Sequence, residues 1–276
     1  MPETANRAKL SPSVPDFSDR LRIIERIMRS IAVIPARMGS SRFPGKPLAY
    51  LHGRTMLEHV YKRTALCPDL ADIVVATCDA EIAEAVTAFG GKAVMTADTH
   101  QRASDRMAEA AESLDGDVFV LVQGDEPMTH PEMISQALSP FAGAGPVGCV
   151  NLMTGIKDEA EFRDPNTIKV VINRAGEAMY MSRSEIPTLA NNRFQEIEAF
   201  KQVCIIPFTR AALARYATLT PTPLEVVESI DMMRFIEHGD TVRMVETAHN
   251  THAVDTEADL RLVSDLMKTD KLMKAY

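Results

Sequence analysis

No stretch of the 276-residue chain approaches the ~20 apolar residues that a membrane-spanning helix requires. Residues 1–20 are polar and contain no apolar core of signal-peptide length, so the expected location is cytoplasmic, away from any membrane. Cysteine is scarce: Cys67, Cys78, Cys149 and Cys204 lie far apart and form no CxxC pair. That spacing suggests neither a zinc knuckle nor a disulfide framework, and leaves buried or half-buried thiols in a reducing compartment. An excess of positive charge is also missing. Thirty Lys and Arg against thirty-eight Asp and Glu give a net charge of −8 and a pI near 5.4. A general nucleic-acid or anionic-membrane binder is therefore not expected, although a local cationic pocket for a small anion is compatible with this balance. The seven histidines show no HExxH spacing, and the chain has no internal repeat and no low-complexity tract.

What is present is a regular alternation. From Ile31 onward, apolar runs (IAVI, IVVAT, KAVMT, DVFVLVQ) alternate with stretches of helical periodicity (TMLEHVYKRTALC, DAEIAEAVTAF, SDRMAEAAESL). Asp79 is a plausible N-cap for the second of these helices, and Gly90-Gly91 stops it. Such an order predicts an α/β fold of Rossmann-like type, a mainly parallel sheet with helices on both faces. After residue 143 the pattern loosens: VGCVNLM, TIKVVIN, EAMYMS and KQVCIIPF read as strands. RAALARYATL and PLEVVESIDMMRFIEHG then read as two helices, followed by a strand TVRMVET and a last helix EADLRLVSDLMK. The expected organisation is an N-terminal extension (1–30, with a helical spacing in DRLRIIERIMR) and a single domain (31–276). Its first half (31–142) is expected to bind nucleotide, and its second (143–276) the acceptor and a second copy.

Open α/β sheets bind ligands beyond the carboxyl ends of their strands. Three loops stand out there. The stretch IAVIPARMGSSRFPGKPL suggests a phosphate loop but fails the P-loop pattern, since five residues rather than four separate Gly39 from Gly45 and Pro47 follows Lys46. Arg37, Arg42 and Lys46 nevertheless put three cations on one loop, and Gly39 and Ser40 permit close backbone approach to a triphosphate. QGDEP follows a buried strand and offers Asp125 where a Mg²⁺ ligand is wanted, with Glu126 as a supporting or structural residue. In AVDTEADL, Thr256 and Asp259 form a capping-box pattern directly after Asp255.

Together these loops resemble the 3-deoxy-manno-octulosonate (KDO) cytidylyltransferases, over roughly residues 31–267. IPARMGSSRFPGKPL is similar to that family's opening loop, VQGDEPM to its metal strand, NTIKVV and YMSRSEIP to its middle segment, TPLEVVESIDMMR to its helix near the sugar site and VDTEADL to its second metal loop. The resemblance implies a nucleotide-diphospho-sugar transferase fold, usually as a homodimer. It implies a Mg²⁺-dependent enzyme that transfers CMP from CTP to the anomeric hydroxyl of a sugar acid and releases pyrophosphate. Carried over by position, Arg37, Arg42 and Lys46 hold the triphosphate with Gly39 and Ser40, while Asp125 and Asp255 hold the metal. The base is read by Gln123 and by the segment His100–Arg106 (His100, Ala103, Ser104, Arg106). Arg183, Gln202, Glu225 and Met232 lie on the acceptor side. Arg37, Lys46, Asp125 and Asp255 carry the catalytic role.

The base-recognition segment and the acceptor half both depart from the family pattern. Arg102 and Ala103 stand where Ser and Gly are usual, Gln202 where a sugar-contacting His is usual, and Cys204 and Ile206 replace Gly and Tyr. Met232 occupies a Gln position and cannot make an amide's hydrogen bonds. KDO remains the leading acceptor. A related sugar acid, a smaller carboxylate or phosphonate, and a nucleotide-binding protein without catalysis are the alternatives.

Overall fold

The computed structural model describes residues 28–39, 43–143, 145–189 and 193–276. Ser40 and Arg42, and nearly all of the expected N-terminal helix, lie outside them. Twelve strands follow in chain order: β1 Ser30–Ala36, β2 Tyr50–Leu51, β3 Arg54–Thr55, β4 Asp72–Thr77, β5 Ala93–Met95, β6 Val118–Val122, β7 Val150–Gly155, β8 Lys169–Ile172, β9 Ala178–Ser182, β10 Phe200–Val203, β11 Ile205–Thr209 and β12 Arg243–Glu246. β2 and β3 form a small hairpin, and the other ten make two five-stranded sheets.

The first sheet has the order β11-β6-β1-β4-β5, parallel throughout except for β11, which runs antiparallel to β6. Its central strands β1, β4 and β6 are largely apolar and buried because both faces are covered. Ile31 and Val33 of β1 point into one core cluster with Val74, Phe119 and Leu121, while Ala32 and Ile34 point into a second with Val75, Val118 and Val120. This two-residue period divides the helices too. The helix Ala103–Glu112 packs Met107, Ala110 and Ala111 on the first cluster. Helices Met56–Thr64, Ala80–Ala88 and Pro131–Leu138 pack Leu57, Val60, Ile82, Val86, Met133 and Ile134 on the second. Each fully buried aliphatic side chain here contributes about 1.5–3 kcal/mol. The expected α/β architecture with helices on both faces is thus present.

The second sheet, β12-β7-β10-β8-β9, is mainly antiparallel, a feature absent from the sequence reading. KQVCIIPF, read as one strand, divides at Cys204: Phe200–Val203 joins the second sheet and Ile205–Thr209 the first. The chain changes sheets within one residue, so a single apolar run serves two layers. PLEVVESIDMMRFIEHG also divides, into Pro223–Glu228 and Met232–Glu237, because Ser229 adopts a left-handed conformation (φ 55°). The Glu228 carboxylate next to it accepts from Ser182 Oγ (2.6 Å), Tyr180 OH (3.1 Å) and Arg183 N–H (2.9 Å). Three cross-element bonds hold the break.

Strand order positions the site. From β1 the chain steps outward to β4 and β5, then returns to place β6 on the other side of β1. Where strand order reverses, the loops leaving β1 and β6 diverge and open a crevice at their carboxyl ends. Among the described residues, no helix is long and apolar enough to cross a membrane.

Candidate active site

A cleft of about 420 Å³ opens at that crevice. The loop after β1 supplies Arg37, Gly39 and Lys46, the loop after β6 supplies Gln123, Gly124 and Asp125, and the segment before the last helix supplies Asp255. His100, Arg102, Ala103 and Arg106 line one wall, with Ser229 and Asp231.

Two glycines make this approach possible. Gly45 has φ +72° and caps the short turn Lys46–Leu48 that aims Lys46 inward, a conformation that strains any residue with a Cβ. A Cβ on Gly124 would stand 2.9 Å from the Pro35 carbonyl oxygen, so only glycine lets the β6 loop pass this close to β1. Asp79, expected as an N-cap, makes no side-chain cap bond. Its carboxylate instead accepts from Met38 N–H (2.8 Å) and ties the opening loop to the end of β4. That tie is a positioning role the sequence reading missed.

At the centre, Lys46 Nζ donates to Asp125 Oδ2 (2.7 Å) and to Asp255 Oδ1 (3.2 Å). Burial lowers an ammonium's pKa, but the two carboxylates, Asp125 foremost, outweigh it and Lys46 lies above its ordinary value. Val254 N–H donates to the Asp125 carbonyl (2.9 Å), so the two acidic loops are joined through backbone as well. Thr256 and Asp259 form the expected capping box, and the Asp259 carboxylate also accepts from Asp255 N–H (3.1 Å). Glu126 is buried and bonded by Thr251 Oγ1 (2.5 Å); burial pushes its carboxyl up to about 7, against the Thr251 bond. Glu126 is therefore a structural neighbour of the site, turned away from the cleft.

In the other wall, Arg106 Nη1 donates to Thr96 Oγ1 (2.5 Å) and the Ala97 carbonyl (3.2 Å), whereas its buried Nη2 has no hydrogen-bond partner. His100 bonds Glu109, whose carboxylate also accepts from Ala97 N–H. Arg102 crosses the cleft floor to Ser229 Oγ (2.7 Å) and the Glu225 carbonyl (3.1 Å). Ser104 is buried and its N–H donates to Asp231 Oδ2 (3.1 Å). Burial pushes the Asp231 carboxyl above its ordinary value, against the bonds from Ser104.

The chain matches the family described as Cytidylyltransferase over residues 31–250. It is 41% identical over 243 residues to the 3-deoxy-manno-octulosonate cytidylyltransferase of Geobacter metallireducens, covering 84% of this chain and 95% of that protein. To the enzyme of the same name from Chlorobium chlorochromatii it is 39% identical over 243 residues, covering 87% and 98%. The chain belongs to the 3-deoxy-manno-octulosonate cytidylyltransferase family. Among solved structures, CMP:2-keto-3-deoxy-manno-octonic acid synthetase complexed with CTP superposes with a TM-score of 0.81 at 37% identity, covering 87% of this chain and 98% of that one.

Within this cytidylyltransferase fold, Arg37, Gly39, Lys46, His100, Ala103, Arg106, Gln123, Asp125 and Asp255 all line one cleft. None of the four residues expected on the acceptor side lines it. Glu225 is fully buried, with its carboxylate bonded by Arg234 Nε (2.8 Å) and Nη2 (2.7 Å). Arg234 also reaches Asp105 (2.7 Å) and stacks over Tyr216. Met232 is fully buried with its sulfur 3.8 Å from Cys149 Sγ. Arg183 is held by the carbonyls of Glu228 (2.7 Å) and Pro165 (3.1 Å), and Gln202 donates to Asn151 Oδ1 (2.6 Å). Asp231, by contrast, does line the cleft, and its only sequence signal is a carboxylate in the altered segment.

Proposed function

We propose that this chain transfers CMP from CTP to the anomeric hydroxyl of KDO or a related 3-deoxy sugar acid and releases pyrophosphate. The single observation that carries the reading is the convergence of Lys46, Asp125 and Asp255 at the switch point of the parallel sheet. The similar synthetase complexed with CTP supports it.

In this reading residues 31–142 bind the nucleotide and residues 143–276 the acceptor. Lys46 and Arg37 neutralise the phosphates, which is most of what in-line phosphoryl transfer asks of a protein. Arg106, which lines the cleft wall, offers a cation to a base bound along that wall. The backbone around Ala103 lies on the same wall. Asp125 and Asp255 fit a hard dication: both present oxygen donors, and a cationic side chain already sits between them. When bound there, Mg²⁺ supplies charge neutralisation at the phosphates and orients the attacking oxygen. Asp231 and Arg102, at the cleft floor, are placed to meet polar groups of the acceptor. A homodimer in the cytoplasm belongs to the same proposal, with the exposed Met179, Val226 and Val227 as candidates for the contact surface.

A changed acceptor is the second reading, favoured by Arg102 on the cleft floor and by the burial of Met232. A site built to bond a substrate hydroxyl discriminates strongly, so these changes bear on which acid is taken. Pyrophosphate release is to be measured with each of the four NTPs against KDO and a panel of related acids. Release with CTP and KDO supports the first reading, and release with CTP and another acid the second. Tight CTP binding without release from any pair contradicts both and leaves a nucleotide-binding protein.

A further inference from the structure

Outside the cleft, and among the described residues, His130, Glu132 and His249 bring two imidazoles and a carboxylate together, with one ligand atom from each all within 4.8 Å of one another. His249 Nε2 lies 3.1 Å from Glu132 Oε2, and His130 Nδ1 lies 3.9 Å from the same oxygen. The two rings stack at 4.1 Å with 13° between their planes. His130 Nδ1 is buried and has no hydrogen-bond partner, so a ring nitrogen is held out of water with nothing to bond. Burial, and the second ring beside it, hold His130 below the ordinary histidine range.

We infer that His130, Glu132 and His249 form a second metal site, for a borderline dication such as Zn²⁺, Co²⁺ or Ni²⁺, distinct from the Asp125–Asp255 centre. Ligand atoms of a four-coordinate zinc lie about 3.3 Å apart, given bonds of about 2.0–2.1 Å. The widest separation closes by about 1.5 Å through side-chain rotation, which also turns the two stacked rings so that their in-plane lone pairs converge. Imidazole donors favour these metals over Mg²⁺, which prefers oxygen. Solvent completes the shell.

Position gives the site its consequence. His130 and Glu132 stand at the start of the helix Pro131–Leu138, a few residues beyond Asp125. His249 lies in the segment between β12 and Asp255, a segment already tied by Thr247 N–H to the Met153 carbonyl (2.8 Å) and by Thr251 to Glu126. A metal across His130, Glu132 and His249 therefore clamps together the two segments that carry Asp125 and Asp255.

The test uses the full chain, stripped of metal and titrated with Co²⁺ in excess Mg²⁺. One equivalent is expected to bind with the intense visible absorption of cobalt ligated by nitrogen in a four- or five-coordinate shell. Octahedral cobalt on oxygen donors is nearly colourless, so occupancy of the Asp125–Asp255 centre does not mimic this signal. His249→Ala is expected to weaken binding by more than the ~10- to 100-fold typical of losing an outer-shell partner. Glu132→Gln, at an exposed position where folding is not at stake, is expected to weaken it ~10-fold or more. No coloured complex in the wild type, or unchanged affinity in both variants, overturns the assignment.

Discussion

Lys46 Nζ and Asp125 Oδ2 meet at 2.7 Å across 79 residues of chain, and the same nitrogen reaches Asp255 across 209. Three loops far apart in sequence are thus held on one charge cluster at the carboxyl ends of β1 and β6. Replacing Asp125 by Asn keeps the shape and removes the charge. Turnover is expected to fall ~10²-fold or more, the scale of one lost electrostatic contact worth roughly 3 kcal/mol. Steady-state pyrophosphate release, with circular dichroism as the check on folding, decides it; near-wild-type turnover removes Asp125 from the proposed metal-holding pair.

Gly124 approaches β1 so closely that a Cβ would stand 2.9 Å from the Pro35 carbonyl oxygen. Backbone cannot yield as a flexible side chain would. Gly124→Ala is expected to cost ~1–3 kcal/mol of stability in urea denaturation, because the strain falls between two core strands. Unchanged stability would show that the loop relaxes freely.

The C-terminal segment is anchored by a buried ion pair. Arg63 is fully buried and bonds Asp270, while its Nε donates to Tyr276 OH (2.9 Å). Burial pushes the Asp270 carboxyl up, but the Arg63 bond and the Leu272 N–H outweigh it and leave the group below its ordinary value of 3.8. A depressed carboxylate stabilises the fold above its unfolded pKa and loses that contribution as pH falls through the folded value. Asp270→Asn is expected to destabilise by ~3 kcal/mol near neutral pH, since it leaves Arg63 buried without a counter-charge. The gap between wild type and variant should shrink from about pH 4 downward. A gap independent of pH would contradict the ion-pair account.

Gln202, carried over to the acceptor side by the resemblance alone, bonds Asn151. Gln202→His is expected to shift the acceptor KM ~10-fold while leaving the CTP KM nearly unchanged. Equal effects on both substrates, or on neither, would detach Gln202 from the acceptor side.

The parallel sheet was readable because its buried strands are unbroken apolar runs and its helices keep a 3.6-residue period. The three loops of the cleft were readable from residue type and from their place after strands. What was hidden depends on partners distant in sequence. Cys204 gives no local sign that the chain changes sheets there, and Ser229 is not the glycine that usually marks a left-handed residue. Past that break, Met232 lies in the core and Asp231 lines the cleft. Asp79 has the composition and position of a cap, yet its carboxylate is taken by Met38 N–H on another loop. The Glu225 carboxylate accepts from Thr222 N–H (3.2 Å) within its own helix start, but its role as the counter-charge of buried Arg234 is a tertiary fact.

The measurement that tests the central claim most directly is pyrophosphate release from CTP in the presence of KDO, with Mg²⁺ present and then chelated. The account predicts release that requires both substrates and stops on chelation. Release unaffected by removal of the metal, or none from CTP with any sugar acid, would contradict it.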